Sequence, residues 1–190
     1  MNRLLILLIF LFSSILTYGQ IDEIDEPSVE NSTIGVQTGI LGIWLYREVK
    51  IKESFAIRTE IGFEGELFGG INFDGVQYVF SPILSFEPRW YYNLEKRDAL
   101  DKNTKSNSAN YLSFRTSLSP NWFEITNVNN LFPVNQLTLL PTWGIRRQVG
   151  QKWNYELGIG IGYQYTFHKE IVNVGEAILQ LNLRFGYRIL

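Results

Sequence analysis

The chain has 190 residues, no cysteine and a formal net charge of −2. This length allows one domain, and the weak charge, without a basic patch interleaved with aromatic residues, argues against a nucleic-acid-binding protein. The absence of cysteine excludes disulfides, cysteine-based zinc sites, thiolate catalysis and the acylated cysteine of a lipoprotein.

The first 19 residues have the pattern of a secretory signal peptide. Arg3 supplies a positive charge, residues 4–16 are apolar apart from two serines, and Thr17 and Gly19 are small residues at the spacing of a cleavage site. A retained membrane anchor is the alternative, but the apolar run is shorter than the roughly 20 residues that span a bilayer. We expect cleavage after residue 19 and a flexible, acidic leader over residues 20–32.

The remaining residues, 33–190, are predicted to form one all-β domain, an antiparallel transmembrane β-barrel. Segments of about 10 to 17 residues alternate apolar and polar side chains, as tilted membrane-spanning strands do. Near the C-terminus, Tyr155 and Leu157 face one side of such a segment and Glu156 faces the other. In chain order, the predicted strands cover residues 33–46, 55–67, 76–92, 110–119, 136–147, 153–168 and 179–189.

The strand count needs a correction for parity. Seven strands are clear, whereas bacterial single-chain barrels have an even number of strands. The alternation is irregular around residues 41–45, and residues 121–135 could also contain a further strand. We therefore predict about eight strands.

The connections between the predicted strands differ in length. Residues 47–53 and 149–151 are tight connections, which are typical of periplasmic turns, whereas residues 93–109 and 121–135 form long connections, which more often lie outside the cell. The lysines and Arg97 of residues 93–109 could contact lipid headgroups or a periplasmic partner. We favour a solvated loop there because acidic residues intervene.

Alternation alone does not separate a membrane barrel from a soluble one, in which apolar side chains point inward. The lysines lie at strand ends or in connections, and the polar phases carry arginine and glutamate instead, which suits a crowded, ion-paired interior. Aromatic residues also gather near strand ends, as in an interfacial girdle, although the β-propensity of aromatics offers another explanation. The predicted girdle residues are Trp44, Trp90, Tyr92, Trp153, Tyr155 and Tyr187.

The polar phase defines a candidate lumen network. Its predicted members are Arg58, Glu60, Glu64, Glu87, Arg89, Arg115, Arg146, Glu156, Arg184 and Arg188. An eight-stranded barrel leaves an interior that side chains fill, and buried charges require partners. We therefore expect ion pairs that plug the barrel. The alternative is a narrow conduit or a binding site between Glu64, Glu66 and Arg89, which should show an excess of one charge sign.

No catalytic, cofactor-binding or metal-binding residues are predicted. His168 is the single histidine, and it cannot form a catalytic triad without a suitably placed nucleophile and acid. No phosphate loop, metal motif or nucleophile elbow is present in the sequence. We predict a protein that is not an enzyme, with a lipid-modifying barrel enzyme as the least favoured alternative.

Three segments carry a resemblance to a known family. Residues 87–94, 141–147 and 155–160 have the sequences EPRWYYNL, PTWGIRR and YELGIG. They resemble a family of small, uncharacterised outer-membrane β-barrel proteins of Bacteroidota-type bacteria. The resemblance covers nearly the whole mature chain and implies a location in the Gram-negative outer membrane, contact with its lipid and insertion by the barrel-assembly machinery. It implies no ligand or cofactor, and the family's usual final aromatic residue is replaced here by Leu190.

The function expected from these observations is a structural or surface-interaction role, with an unidentified periplasmic or surface partner. A narrow pore for small solutes is the alternative.

Overall fold

The computed structural model describes residues 27–68, 76–128, 133–167 and 174–190. The predicted signal peptide, most of the leader and His168 lie outside these residues. The described chain is predominantly β-structure, and none of its helices is long and apolar enough to cross a membrane. Its strands are β1 (Ser32–Gly39), β2 (Gly42–Lys52), β3 (Phe55–Phe68), β4 (Gln77–Trp90), β5 (Asn110–Ser119), β6 (Ile125–Thr126), β7 (Asn135–Val149), β8 (Trp153–Phe167) and β9 (Val174–Arg188). Helix α1 (Leu94–Asp98) and a 3-10 turn, η1 (Lys105–Asn107), separate β4 from β5.

The strands form one antiparallel sheet that closes on itself. Each long strand pairs with its neighbour in the chain, and β5 pairs with β7 because β6 is a two-residue strand that pairs with the start of β4. Strands β1 and β9 complete the ring, from the pair Gly35–Arg188 to the pair Gly39–Arg184. Eight long strands therefore form the barrel, as predicted, and closure satisfies the backbone groups that an open edge would expose.

The eighth strand lies within the segment predicted as a single strand over residues 33–46. The chain turns at residues 40–41, so that Gln37 pairs with Trp44, and β2 then continues through residues 47–52. The tight connection predicted at 47–53 is thus wrong, and the turn lies at residues 53–54. Sequence hid the first hairpin because its turn residues, Ile40 and Leu41, are not typical turn formers. Glycine at position 42 is required there, since the Trp44 indole occupies the place of a Cβ.

The outward face of the barrel is apolar. Alternate side chains of the long strands point away from the axis, and many are more than 40% exposed. The outward phase includes the charged residues Arg47 and Arg147, both near the end of the barrel where the described chain begins and ends. Large exposed residues on this face include Ile43, Leu45, Ile61, Phe86, Leu112, Phe114, Trp143, Leu157, Ile159, Ile161, Leu181, Leu183 and Phe185.

The two ends of the barrel are built differently. The terminal end holds the start of β1, the end of β9, the turns at 53–54 and 150–152, and residues 91–109. The open end is formed by the opposite ends of the strands. Residues 91–109 were expected on the side away from the tight turns, and the structure corrects this. They form a folded plug, in which Leu94 and Ala109 pack with Val29 and Tyr111 in the apolar cluster of the terminal end.

Candidate functional site

The interior of the barrel contains a network of five arginines and five glutamates, which we call the interior network. The alternation of strand side chains directs these residues to the axis. All except Glu64 are at most 4% exposed, and the charges balance within the set. The members are Arg58, Arg89, Arg115, Arg146 and Arg184 together with Glu48, Glu60, Glu64, Glu87 and Glu156.

Arg58 lies at the centre of the interior network. Its Nε donates to Glu60 Oε1 at 2.7 Å, and its Nη1 donates to Glu156 Oε1 at 3.0 Å. Its Nη2 donates to the side-chain oxygen of Gln37. The guanidinium carbon also lies 3.9 Å from the centroid of the Tyr46 ring. Both the hydrogen-bonding edge and the face of this cation are therefore used, as a fully desolvated guanidinium requires.

Glu156 and Glu48 form ion pairs with the arginines that lie nearer the terminal end. Arg146 Nη1 lies 3.2 Å from Glu156 Oε1 and 3.3 Å from Glu48 Oε2. Arg89 Nη2 lies 3.2 Å from Glu156 Oε2 and 2.8 Å from Glu87 Oε2. Glu156 thus contacts three arginines supplied by three different strands. A carboxylate shared in this way joins distant parts of the barrel wall across its centre.

The plug at the terminal end is attached to this network through Glu48. Tyr91, the first residue after β4, donates its hydroxyl to Glu48 Oε1 at 2.9 Å, and Asn107 donates its side-chain amide to the same oxygen. Burial, together with the negative charge of Glu48, raises the pKa of the Tyr91 hydroxyl. The backbone NH of Ser106 donates to Glu30 Oε1 at 2.7 Å. Through this bond, residues 105–107 of the plug hold the segment that precedes β1 against the terminal end.

Nearer the open end, the network thins out. Arg184 Nη1 lies 2.7 Å from Glu60 Oε1, and its guanidinium carbon lies 4.0 Å from the centroid of the Trp44 ring system. Arg115 Nη2 lies 3.2 Å from Glu64 Oε2, and Gln180 donates to Glu64 Oε1 at 2.8 Å. Glu64 is the outermost paired carboxylate of the network and marks its boundary.

A vestibule of about 610 Å³ begins at this boundary and faces the open end. Its walls combine amide and hydroxyl side chains with the carboxylates of Glu66, Glu124 and Glu176 and a few aliphatic side chains. In the described part of the chain, no group of three or more histidine or acidic side chains is arranged to hold a metal ion. The vestibule is therefore an acidic, polar cup above an ion-paired floor.

Nine of the ten predicted lumen residues belong to the interior network. The tenth, Arg188, lies at the terminal end, where its Nη2 is 2.7 Å from Glu30 Oε2, and its side chain is 28% exposed. Sequence reasoning missed Glu48, because residues 47–53 were assigned to a turn. The signal that could have found it is the alternation of Trp44, Tyr46 and Glu48, which continues unbroken through β2.

The predicted girdle residues divide into two groups. Trp90, Tyr92, Trp153 and Tyr187 are between 38% and 46% exposed, and Tyr155 is half-buried on the same outward phase. Trp44 contradicts the prediction, since it is only 4% exposed and lies inside the barrel against Arg184. The physical reason is the two-residue hairpin at 40–41, which pairs Trp44 with the inward-facing Gln37, and residues paired in this way share a face of the sheet.

Comparisons of the chain with protein-family models, curated proteins and solved structures gave no match. The chemistry of the site therefore rests on its geometry. Every carboxylate of the interior network lies within 3.3 Å of a guanidinium nitrogen. Groups held in this way cross-link the strands, and of the network carboxylates Glu64 alone also lines the vestibule.

Proposed function

We propose that the protein is an integral β-barrel of the Gram-negative outer membrane, with a closed interior and a structural or surface-interaction role. The observation that carries the proposal is a closed eight-stranded barrel whose outer wall is apolar and whose inner wall is charged and ion-paired. The proposal includes the family suggested by the sequence resemblance, secretion through the signal peptide and insertion by the barrel-assembly machinery.

The outer wall supports a lipid environment. Soluble monomers rarely expose apolar patches larger than a few hundred Å², whereas here the exposed apolar side chains surround the ring. Leu181 and Ile161 are 73% and 68% exposed although they lie in the middle of their strands. A soluble barrel has the opposite arrangement, with its apolar side chains enclosed. Lipid is the solvent in which this wall is stable.

The distribution of cations and turns supports one orientation. Short turns are a periplasmic feature of bacterial barrels, and two of the three short turns of the described chain, at 53–54 and 150–152, lie at the terminal end, whereas the third, at 40–41, lies at the open end. We infer that this end faces the periplasm and that the vestibule opens to the cell exterior. Lysines also gather at the terminal end: Lys50, Lys52, Lys96, Lys102, Lys105 and Lys152.

The packed interior favours a plugged barrel over a pore. Arg58, Glu156 and Glu48 lie at the centre of the lumen, and the plug is attached directly beneath them. A continuous path would require several fully buried ion pairs to separate, and leaving one buried charge without a partner costs roughly 3–5 kcal/mol. The narrow pore remains the second candidate because the vestibule forms a ready entrance at one end.

Three measurements test this proposal: gel migration, cell fractionation and conductance. A folded membrane barrel should migrate differently on gels before and after boiling, and the chain should sediment with outer-membrane vesicles. In planar bilayers, the plugged barrel should give no stable conductance steps. Recovery of the chain in the soluble periplasmic fraction would overturn the membrane assignment, and discrete single-channel openings would replace the plugged barrel by the narrow pore.

A further inference from the structure

Two arginines at the terminal end, Arg97 and Arg147, make no ion pair with a carboxylate of the described chain. Arg147 lies on the outward phase near the end of β7, and Arg97 lies in α1. This sets them apart from Arg188 at the same end, which is paired with Glu30. Asn103 links the two segments, since Arg97 donates to its carbonyl and its amide donates to Gln148, the neighbour of Arg147 in β7. Two neighbouring cations that make no ion pair with a described carboxylate form an electrostatic site for an anion.

Local contacts hold the two guanidinium groups in place. Arg97 Nη2 donates to the Asn103 carbonyl at 3.0 Å, and the Asn103 amide donates to Gln148 Oε1 at 3.2 Å. These contacts hold helix α1 beside the C-terminal end of β7. The Arg97 Nε is buried and finds no acceptor among the described residues. A buried donor without a protein acceptor is uncommon in native structures.

Polar and aromatic groups surround Arg147 on the outer wall. Arg147 Nη2 donates to Asn110 Oδ1 at 2.6 Å, and the Asn110 amide donates to the Tyr92 hydroxyl at 3.3 Å. The indole NH of Trp143 donates to the same hydroxyl at 2.9 Å. Arg147 also pairs across the sheet with Tyr155. Tyrosine and tryptophan with a wet polar edge and an apolar body are the residues of a membrane interface.

An apolar wall lies directly beyond this polar group, towards the middle of the barrel. Ile145 pairs with Leu157, and Trp143 pairs with both Leu112 and Ile159 in the neighbouring strands. Leu112, Trp143, Leu157 and Ile159 are each between 40% and 44% exposed. The surface therefore presents two cations at the rim and a continuous apolar strip beyond them, which matches the shape and the chemistry of one phospholipid.

We propose that Arg97 and Arg147 bind the phosphate of an anionic phospholipid from the leaflet around the terminal end, with an acyl chain against the strip formed by Leu112, Trp143, Leu157 and Ile159. Guanidinium groups suit this role because they can donate two parallel hydrogen bonds to phosphate oxygens. This inference rests on the proposed membrane location. The ligand is a lipid rather than free phosphate, because free phosphate has no apolar part to contact the strip.

Native mass spectrometry of the full-length mature protein in detergent tests the site, with phosphatidylglycerol and phosphatidylcholine as the probe lipids. We expect the wild-type protein to retain one phosphatidylglycerol molecule in preference to phosphatidylcholine. Each basic residue near an anionic lipid surface strengthens binding by about fivefold, so the double variant R97Q/R147Q should bind phosphatidylglycerol about 25-fold more weakly.

The matched control is K96Q/K102Q, which removes the same charge from exposed positions of the same segment. It should alter phosphatidylglycerol binding by no more than about twofold, because solvated surface charges are strongly screened. Equal binding by R97Q/R147Q and wild type would overturn the proposal. Equal weakening by the two double variants would do so as well, since it would indicate general charge attraction.

Two further readouts separate this inference from the proposed function. The gel shift on boiling is recorded for each variant, so that weaker lipid binding is attributed to the site only where the barrel is folded. If wild type fails to insert into vesicles, the proposed membrane location is wrong. If it inserts but binds both lipids equally, only the lipid site is wrong. Displacement of the bound lipid by millimolar inorganic phosphate would overturn the commitment to a lipid.

Discussion

The two halves of the barrel interior share the same alternation of side chains, but one half is packed and the other contains an open vestibule. Towards the terminal end, three arginines face three glutamates, and all six are at most 3% exposed: Arg58, Arg89, Arg146, Glu48, Glu87 and Glu156. Towards the open end, the described residues that line the vestibule include no lysine or arginine, and Glu66, Glu124 and Glu176 face a space of about 610 Å³. The difference lies in charge balance rather than in the backbone, which is a regular antiparallel ladder in both halves.

This contrast in charge balance explains which part of the barrel interior is filled by side chains. A buried carboxylate is tolerated when guanidinium groups replace its hydration shell. Glu156 has three such partners, so water can be excluded around it. Carboxylates without cationic partners must keep their water, and the space around them stays open. Glu64, paired with Arg115 and with Gln180, lies at the transition between the two regimes.

The strongest test of this contrast applies one substitution to both halves. Glu156→Gln removes a negative charge from among three arginines, so we expect a loss of about 3–5 kcal/mol in the free energy of unfolding. Glu66→Gln, the matched control in the vestibule, should change it by no more than about 0.5 kcal/mol. Urea titrations in detergent, followed by tryptophan fluorescence and by the gel shift on boiling, measure both. Similar losses at the two positions would contradict a role for charge balance.

A second test concerns the attachment of the plug. Ser106 and Asn107 have φ angles of 53° and 56°, and asparagine tolerates this region better than most residues with a Cβ. Asn107→Ala removes the bond to Glu48 and places alanine in an unfavourable backbone region, so we expect a loss of about 2–3 kcal/mol. Asn107→Gly removes the same bond without the backbone penalty and should be milder by about 1 kcal/mol.

The same urea titration distinguishes these two variants. A glycine variant as unstable as the alanine variant would show that the hydrogen bond to Glu48, and not the backbone, dominates at this position. Wild-type stability in both variants would show that residues 105–107 do not hold the terminal end closed.

Much of the barrel could be predicted from alternation alone. Alternation identifies which side chains share a face, and this is why nine lumen residues were found from sequence. It does not identify a hairpin whose turn residues are Ile40 and Leu41, and this single omission displaced Trp44 to the wrong face and hid Glu48. Parity of the strand number was the signal that a strand was missing.

The pairing of charges across the lumen could not be predicted in the same way. Arg58 and Glu156 are 98 residues apart in sequence, and their contact depends on the stagger of strands around the whole ring. The inward folding of residues 91–109 was equally hidden. It involves left-handed conformations at three residues that have a Cβ, Asp101, Ser106 and Asn107, and one buried amide, whereas the local sequence resembles an ordinary polar loop.

The smallest expected effect concerns repulsion within the vestibule. Glu176 and Glu66 line the same vestibule, so their like charges repel each other, and Glu176 is exposed. Glu176→Gln should therefore stabilise the barrel by about 0.2–0.5 kcal/mol at low ionic strength, and the gain should disappear near 1 M salt, where screening acts over about 3 Å. Glu64→Gln, two residues from Glu66 on the same strand, should instead destabilise the barrel because Arg115 loses the nearer of its two carboxylate partners. Opposite signs at these two glutamates would locate the boundary between the packed and the open interior, whereas destabilisation by Glu176→Gln would show that the vestibule carboxylates are also paired.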